Sequence, residues 1–310
     1  MPTRASDLLS RDEIRAFTRT SNVRGALAVG GTWAVIAGTL VAAMRWPHPA
    51  VLVAAVIVIG GRQLALAIAM HEAAHGHLFR TSWLNTYVAD LLCARPIGQD
   101  IARYRAHHLS HHAHAGTDRD PDLALAPLEP IPRGSLVRKM LRDVTGIAGL
   151  RRLIGLVLID ANMITYTVGG ATRRQRHRTS YYVTSLLRHA PPTIVINAVM
   201  FLVLGWAYAL WAIAWLTTYG LFLRIRMLAE HSCLLRGPDV LLNTRTTHAG
   251  WLARTTVAPL RVNYHLEHHL MPSTPWYQLP ALHRMLRERS ALPEQSTARG
   301  YFSVLSIVTR

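Results

Sequence analysis

Residues 25–44, GALAVGGTWAVIAGTLVAAM, run for 20 positions without a charged side chain. At about 1.5 Å per residue, such a helix is about as long as the roughly 30 Å hydrocarbon core of a bilayer is thick. The stretch reads as a first transmembrane span. A turn at residues 45–49, with Pro47 and Pro49, then leads back into a second apolar run at residues 50–70, giving an antiparallel hairpin. The longest apolar run, residues 191–223, covers 33 positions, more than one crossing needs. It reads as two further spans hinged near Gly205, with Trp206, Tyr208, Trp211 and Trp215 suited to an interfacial aromatic belt.

Outside these runs the chain changes character. Residues 1–24 mix Arg, Asp, Glu and Ser, and read as a short cytoplasmic segment; Asp7, Asp12, Glu13 and the long run that follows argue against a cleaved signal peptide. Arg62 and Gln63 interrupt the second run and are expected to mark where its helix leaves the lipid. Residues 81–99 read as an amphipathic helix at the membrane interface, and residues 118–132, with four prolines and four acidic residues, as a loop. Residues 136–170 carry helical periodicity and read as interfacial or partly buried. No linker, repeat or low-complexity tract divides the 310 residues, so a single domain is expected.

The formal charge of +17 raises nucleic acid as a partner. The basic residues instead flank the apolar runs, and no basic helix is free of the membrane pattern, which argues against nucleic-acid binding. With the spans placed as above, all but Arg45 and Arg62 fall on one side, so by the positive-inside rule that side is cytoplasmic. Lys139 is the single lysine, an arginine bias that points to a GC-rich bacterial genome and hence to a bacterial inner membrane.

Two cysteines, Cys93 and Cys233, supply neither a disulfide framework nor a C-x-x-C metal knuckle. Histidine is the remaining metal-binding candidate. His71 and His75 stand four apart, so on a helix their rings share a face. The pattern H-x-x-H-H occurs at His108, His111 and His112, and again at His265, His268 and His269. Eight imidazoles exceed the needs of one four-coordinate zinc, so two metal ions are the simplest reading. His231, just after the fourth expected span, offers a ninth ligand. His77, His107 and His114 are expected to support ligands or face solvent, and Glu72, Glu230, Glu267 and Asn263 are candidates for orienting rings.

The segments His71-Glu72-Ala73-Ala74-His75, His108-Leu109-Ser110-His111-His112 and Asn263-Tyr264-His265-Leu266-Glu267-His268-His269, with Met271-Pro272 and Pro275-Trp276 beyond, resemble the histidine boxes of the membrane fatty acid desaturase family. Asp120-Pro121-Asp122 and Ala229-Glu230-His231 are similar to segments of bacterial members, and the likeness runs from about Arg62 to His283. The resemblance implies a non-haem di-iron site: two Fe ions held by His71, His75, His108, His111, His112, His231, His265, His268 and His269. It implies that O2 is used to take hydrogen from an alkyl chain, inserting a double bond into a fatty-acyl or lipid substrate drawn from the membrane. A hydroxylase on the same scaffold, or a metal-binding membrane protein without oxygen chemistry, are the alternatives. No haem-binding or cysteine-cluster stretch is evident, so electrons are expected from a separate carrier such as a ferredoxin with its reductase. The expected architecture is an all-α integral membrane protein with four transmembrane helices in two hairpins, and a cytoplasmic helical cap carrying the di-iron site.

Overall fold

The computed structural model describes residues 3–168, 172 and 174–310. Two short helices, α1 (Ala5–Leu8) and α2 (Arg11–Phe17), precede the first long one. Ser10 caps α2 by accepting from Glu13 N, while the Glu13 carboxylate accepts from Ser10 N at 2.8 Å, so two helix-end donors are satisfied reciprocally. α3 (Asn22–Arg45) and α4 (Pro49–Ala74) follow. They pack on one another across a three-residue connection, with Pro49 at the start of α4, where its missing N–H costs nothing.

Arg62 and Gln63 lie inside α4, which continues unbroken past them. Both make contacts within the protein: the buried Gln63 amide donates to Trp211 O at 2.9 Å, and Arg62 Nη2 donates to Thr255 O at 2.8 Å.

The expected amphipathic helix at residues 81–99 takes a different form. The chain passes through two π-helical turns, Leu84–Val88 and Asp90–Ala94, and a 3-10 turn, Arg95–Ile97. Pro96 has no N–H with which to continue a helix, and the Asp90 carboxylate accepts from both Arg95 Nε at 2.8 Å and Ile101 N at 3.0 Å, folding the segment onto the start of the next helix. α5 (Ile101–His114) is capped by Asp100, which accepts from Ala102 N and Arg103 N. Residues 118–132 are a loop with one 3-10 turn at Leu123–Leu125.

The periodicity over 136–170 resolves into α6 (Arg133–Val144) and α7 (Ile147–Asp160), separated at Gly146, whose φ is +79°. α7 ends earlier than the apolar pattern implied. Arg103 Nη1 donates to Ile159 O at 2.9 Å and Ser185 Oγ to Asp160 O at 2.7 Å, which takes up the last carbonyls, and Asn162 turns left-handed just beyond. The expected end of the pattern, Gly170, lies outside the described residues.

α8 (Thr179–Leu204) stops at Gly205 (φ +55°, ψ −130°), the break expected in the long apolar run, and α9 (Tyr208–Leu216) and α10 (Thr218–His231) continue the chain. Among the described residues three stretches are long and apolar enough to cross a membrane: Arg11–Arg45, Pro49–Ala74 and Thr179–His231. The remainder comprises α11 (Val240–Asn243), α12 (Trp251–Thr255), α13 (His265–Leu270), α14 (Leu279–Glu288) and α15 (Tyr301–Ile307). β1 (Thr246–Thr247) pairs in parallel with β2 (Thr297–Ala298). The protein is thus mainly helical.

The main apolar core runs through α3, α4, α9 and α10, with Ile36, Ile59, Leu64, Leu66 and Trp211 fully buried. A second core joins Leu9 and Phe17 of the N-terminal segment to Leu266, Leu282 and Leu286. Burying each such leucine is worth roughly 1.5–3 kcal/mol, and Leu266 sits between ligand candidates, so this packing fixes α13 against α14.

Candidate metal centre

Four helices bring the histidines together. His71 lies in the last turn of α4 and His75 is its C-cap; His108, His111 and His112 occupy the last two turns of α5; His231 ends α10; His265, His268 and His269 lie on α13. All nine residues singled out in the sequence fall into two groups, His71, His75, His108, His112 and His268 in one, and His111, His231, His265 and His269 in the other. Within each, one nitrogen per ring lies within 4.8 Å of all the others.

These spacings suit a metal. With metal–nitrogen bonds of about 2.1 Å, ligands at right angles stand about 3.0 Å apart and opposite ligands about 4.2 Å. The Nε2 atoms of His75 and His108 are 2.9 Å apart, those of His108 and His112 3.1 Å, those of His112 and His268 3.1 Å, and those of His231 and His265 3.0 Å. Hydrogen bonding alone does not satisfy this web. A neutral imidazole has one N–H, so the converging Nε2 atoms of His75, His108, His112 and His268 cannot all be satisfied by one another, and both ring nitrogens of His71 and of His269 are buried with no partner. Lone pairs aimed at a common point are what a cation would satisfy, and imidazole suits iron, zinc, copper and nickel alike.

Burial sets the protonation. It drives His108, His112, His265, His268 and His269 well below the ordinary imidazole value, reinforced by neighbouring rings. It takes His75 to about 3, with His77 adding to the effect. Neutral rings are the form that binds metal. His111 goes the other way: burial lowers it, but its hydrogen bond and charge interaction with Asp120 outweigh burial and raise it.

At His111 and His231 the second ring nitrogen finds a partner that aims the first, and carboxylates approach two further rings. His111 Nδ1 donates to Asp120 Oδ1 at 2.7 Å and His231 Nδ1 to Asn243 O at 3.0 Å. Glu230 lies 3.4 Å from His265 Nδ1, and Glu72 3.4 Å from His71 Nδ1 while accepting from Trp276 N at 3.0 Å. Glu267 is completely buried but holds His283 Nδ1, at 2.6 Å, and the Thr246 hydroxyl rather than a ligand candidate, which fastens α13 to α14 and β1. Asn263 donates to Thr247 O at 3.0 Å, a backbone tie. His77, His107 and His114 join neither group: His107 Nε2 lies 3.0 Å from Asp122, and His114 Nδ1 donates to Ser110 O one turn back. Asp120, Asn243 and His283 were not assigned roles from sequence. Asp120 had a signal, an acid placed soon after the second box; the carbonyl of Asn243 had none.

A cavity of about 420 Å³ opens beside the second group. His108, His111, His231 and His265 share its wall with Met70, Tyr104 and a row of arginines from α7 and α10.

Helices long and apolar enough to cross a bilayer, together with buried histidine groups that could hold metal, point to a membrane-associated, metal-dependent class of protein. The profile of the fatty acid desaturase family matches residues 45–302, and the chain belongs to that family. It is also 28% identical over 286 residues to dihydrorhizobitoxine desaturase of Bradyrhizobium elkanii, an alignment covering 84% of this chain and 74% of that one. The protein is an oxidoreductase enzyme.

Proposed function

We propose that the protein is a fatty-acyl desaturase of the bacterial inner membrane, with two iron ions held by the nine grouped histidines. The convergence of those nine rings into a group of five and a group of four carries the reading. Bound iron would supply the activation of O2 and the removal of hydrogen from an unactivated carbon. In balance, the substrate loses two hydrogens from adjacent carbons, and O2 takes up four electrons and four protons, two of each from the substrate and two of each from outside, leaving two waters.

The protein's own residues do the rest. Tyr104 and Met70 give the cavity an apolar wall next to the rings, against which an alkyl chain can lie. Asp120 and the Asn243 carbonyl hold His111 and His231 in one tautomer. In this reading the break at Gly205 divides the last apolar stretch into two spans, making four in two hairpins, with the arginine-rich side and the histidines facing the cytoplasm. That surface would dock an acidic electron carrier such as a ferredoxin, and turnover should then fall as salt rises. The relative is named for desaturating dihydrorhizobitoxine, so the comparison supports the reaction class rather than the substrate.

The test is expression in a host supplied with saturated fatty acids, beside His268→Ala, with products resolved by mass spectrometry. Species two hydrogens lighter with the native chain and not with the variant are expected. Products one oxygen heavier instead would make the enzyme a hydroxylase, and purified protein carrying zinc in place of iron would overturn the oxygen chemistry.

A further inference from the structure

The cavity beside the metal centre contains more positive charge than its ion pairs use. Three of its arginines lie at least partly inside the protein. Arg224 forms a two-pronged pair with the buried Asp143, and Arg226 Nε donates to Glu230 at 2.6 Å. Arg152 has no carboxylate partner among the described residues. Its Nη2 donates to Trp215 O at 2.8 Å, its Nε is buried without a partner, and its guanidinium stacks against Trp215 and Tyr219, 4.7 and 4.9 Å from the ring centres. A fourth arginine on the wall, Arg151, is exposed, where water screens it.

The wall is shaped around Arg152. A Cβ on Gly220 would sit 2.9 Å from Arg152 Nη2 and 3.1 Å from Nη1, so the glycine leaves the space the guanidinium occupies. Gly220, Leu223, Arg224, Met227 and His231 all line the cavity, and their spacing of three and four residues puts them on one face of α10. Gly220 and His231 stand 11 positions apart, about 16 Å at 1.5 Å each, with Arg152 at one end and a grouped histidine at the other.

We propose that Arg152 is a specificity-determining residue that receives the free carboxylate of the substrate, so that the enzyme acts on an un-esterified monocarboxylic acid laid along α10. The proposal rests on the desaturase reading for the identity of the reaction, and names the substrate class of that site. A guanidinium on the cavity wall with aromatic flanks and no carboxylate of its own matches a single carboxylate, and a charge-assisted pair in such surroundings is stronger than one at the surface. The cavity volume falls in the range that encloses a small molecule.

Equilibrium binding of radiolabelled dodecanoate and of methyl dodecanoate to the full chain in nanodiscs, with empty nanodiscs as background, tests this without any chemistry. The native protein should bind the acid about tenfold or more tightly than the ester. Arg152→Gln should abolish that preference while leaving ester binding unchanged, Arg152→Lys should restore part of it, and Gly220→Ala, which crowds the guanidinium, should reproduce the loss. Equal affinity of the native chain for acid and ester overturns the proposal whatever the variants do, as does an Arg152→Gln variant that weakens both ligands alike. Because these readouts need no turnover, they separate from a failure of the desaturase assignment, which shows in the product spectrum.

Discussion

Asp120 Oδ1 accepts from His111 Nδ1 at 2.7 Å, and this fixes which face of the imidazole looks at the metal centre. A carboxylate can only accept, so the proton is on Nδ1 and Nε2 keeps its lone pair. The bond crosses from the loop after α5 back onto α5, and Gly116 N and Asp122 N donate to the same carboxylate at 3.2 and 2.9 Å. Asp120→Asn should therefore lower metal affinity by about tenfold to a hundredfold while leaving the helices intact. Metal retained against a graded chelator, with circular dichroism as the control, measures it.

If each group of rings holds one ion, as proposed, the two should be separable. His75→Ala removes a member of the first group and His269→Ala a member of the second. Each purified variant should carry about one equivalent of metal where the native chain carries two, and stripping both ions should lower the melting temperature of the native chain, since binding to the folded state alone stabilises it. Metal analysis by mass spectrometry and a thermal scan with and without chelator give both numbers.

Helix contacts at glycine set a third expectation. Gly149 of α7 meets the backbone of Leu216, and Gly61 of α4 meets the backbone of Thr255, each so closely that a Cβ would overlap a carbonyl oxygen. Backbone cannot rotate aside, so Gly149→Ala and Gly61→Ala should each destabilise by about 1–3 kcal/mol or more, against little change for Gly38→Ala, which faces open space. Thermal unfolding in detergent ranks the three.

The N-terminal segment should loosen at low pH. Glu13 pairs with Arg289 at 2.5 Å, and that hydrogen bond, with the one to Ser10 N, pulls its carboxyl from 4.5 to about 2. A lowered carboxyl stabilises the folded form above pH 4.5 and loses that contribution as pH falls towards 2. The pair is exposed, so the effect is small, and Glu13→Gln should flatten it. Hydrogen exchange of α2 between pH 5 and 3 reads the change.

The sequence carried the site further than the fold. Imidazoles at ligand spacing sit on short stretches whose local geometry is helical, so His71 with His75 and each H-x-x-H-H box could be placed on a face before their partners were known. What the intervals could not carry were choices made by distant groups. Whether residues 81–99 form one helix depends on Asp90 reaching Ile101 N, and where α7 ends depends on Arg103 and Ser185 reaching across to its last carbonyls. The break at Gly205 was legible because a run of 33 residues exceeds one crossing, and its backbone angles are ones a side chain would resist. Arg62 and Gln63 were visible as exceptions, but their partners, Thr255 and Trp211, lie far along the chain.

Those two side chains have a mechanical meaning. Gln63 and Arg62 grip carbonyls on two other elements, so α4 cannot rotate about its axis, and His71 sits about two and a half turns further along the same rod. The angle at which the first imidazole pair faces the other rings of its group is inherited from amide and guanidinium clasps that never approach them. A substitution at either clasp would reorient those rings from a distance, by twisting the shaft that carries them.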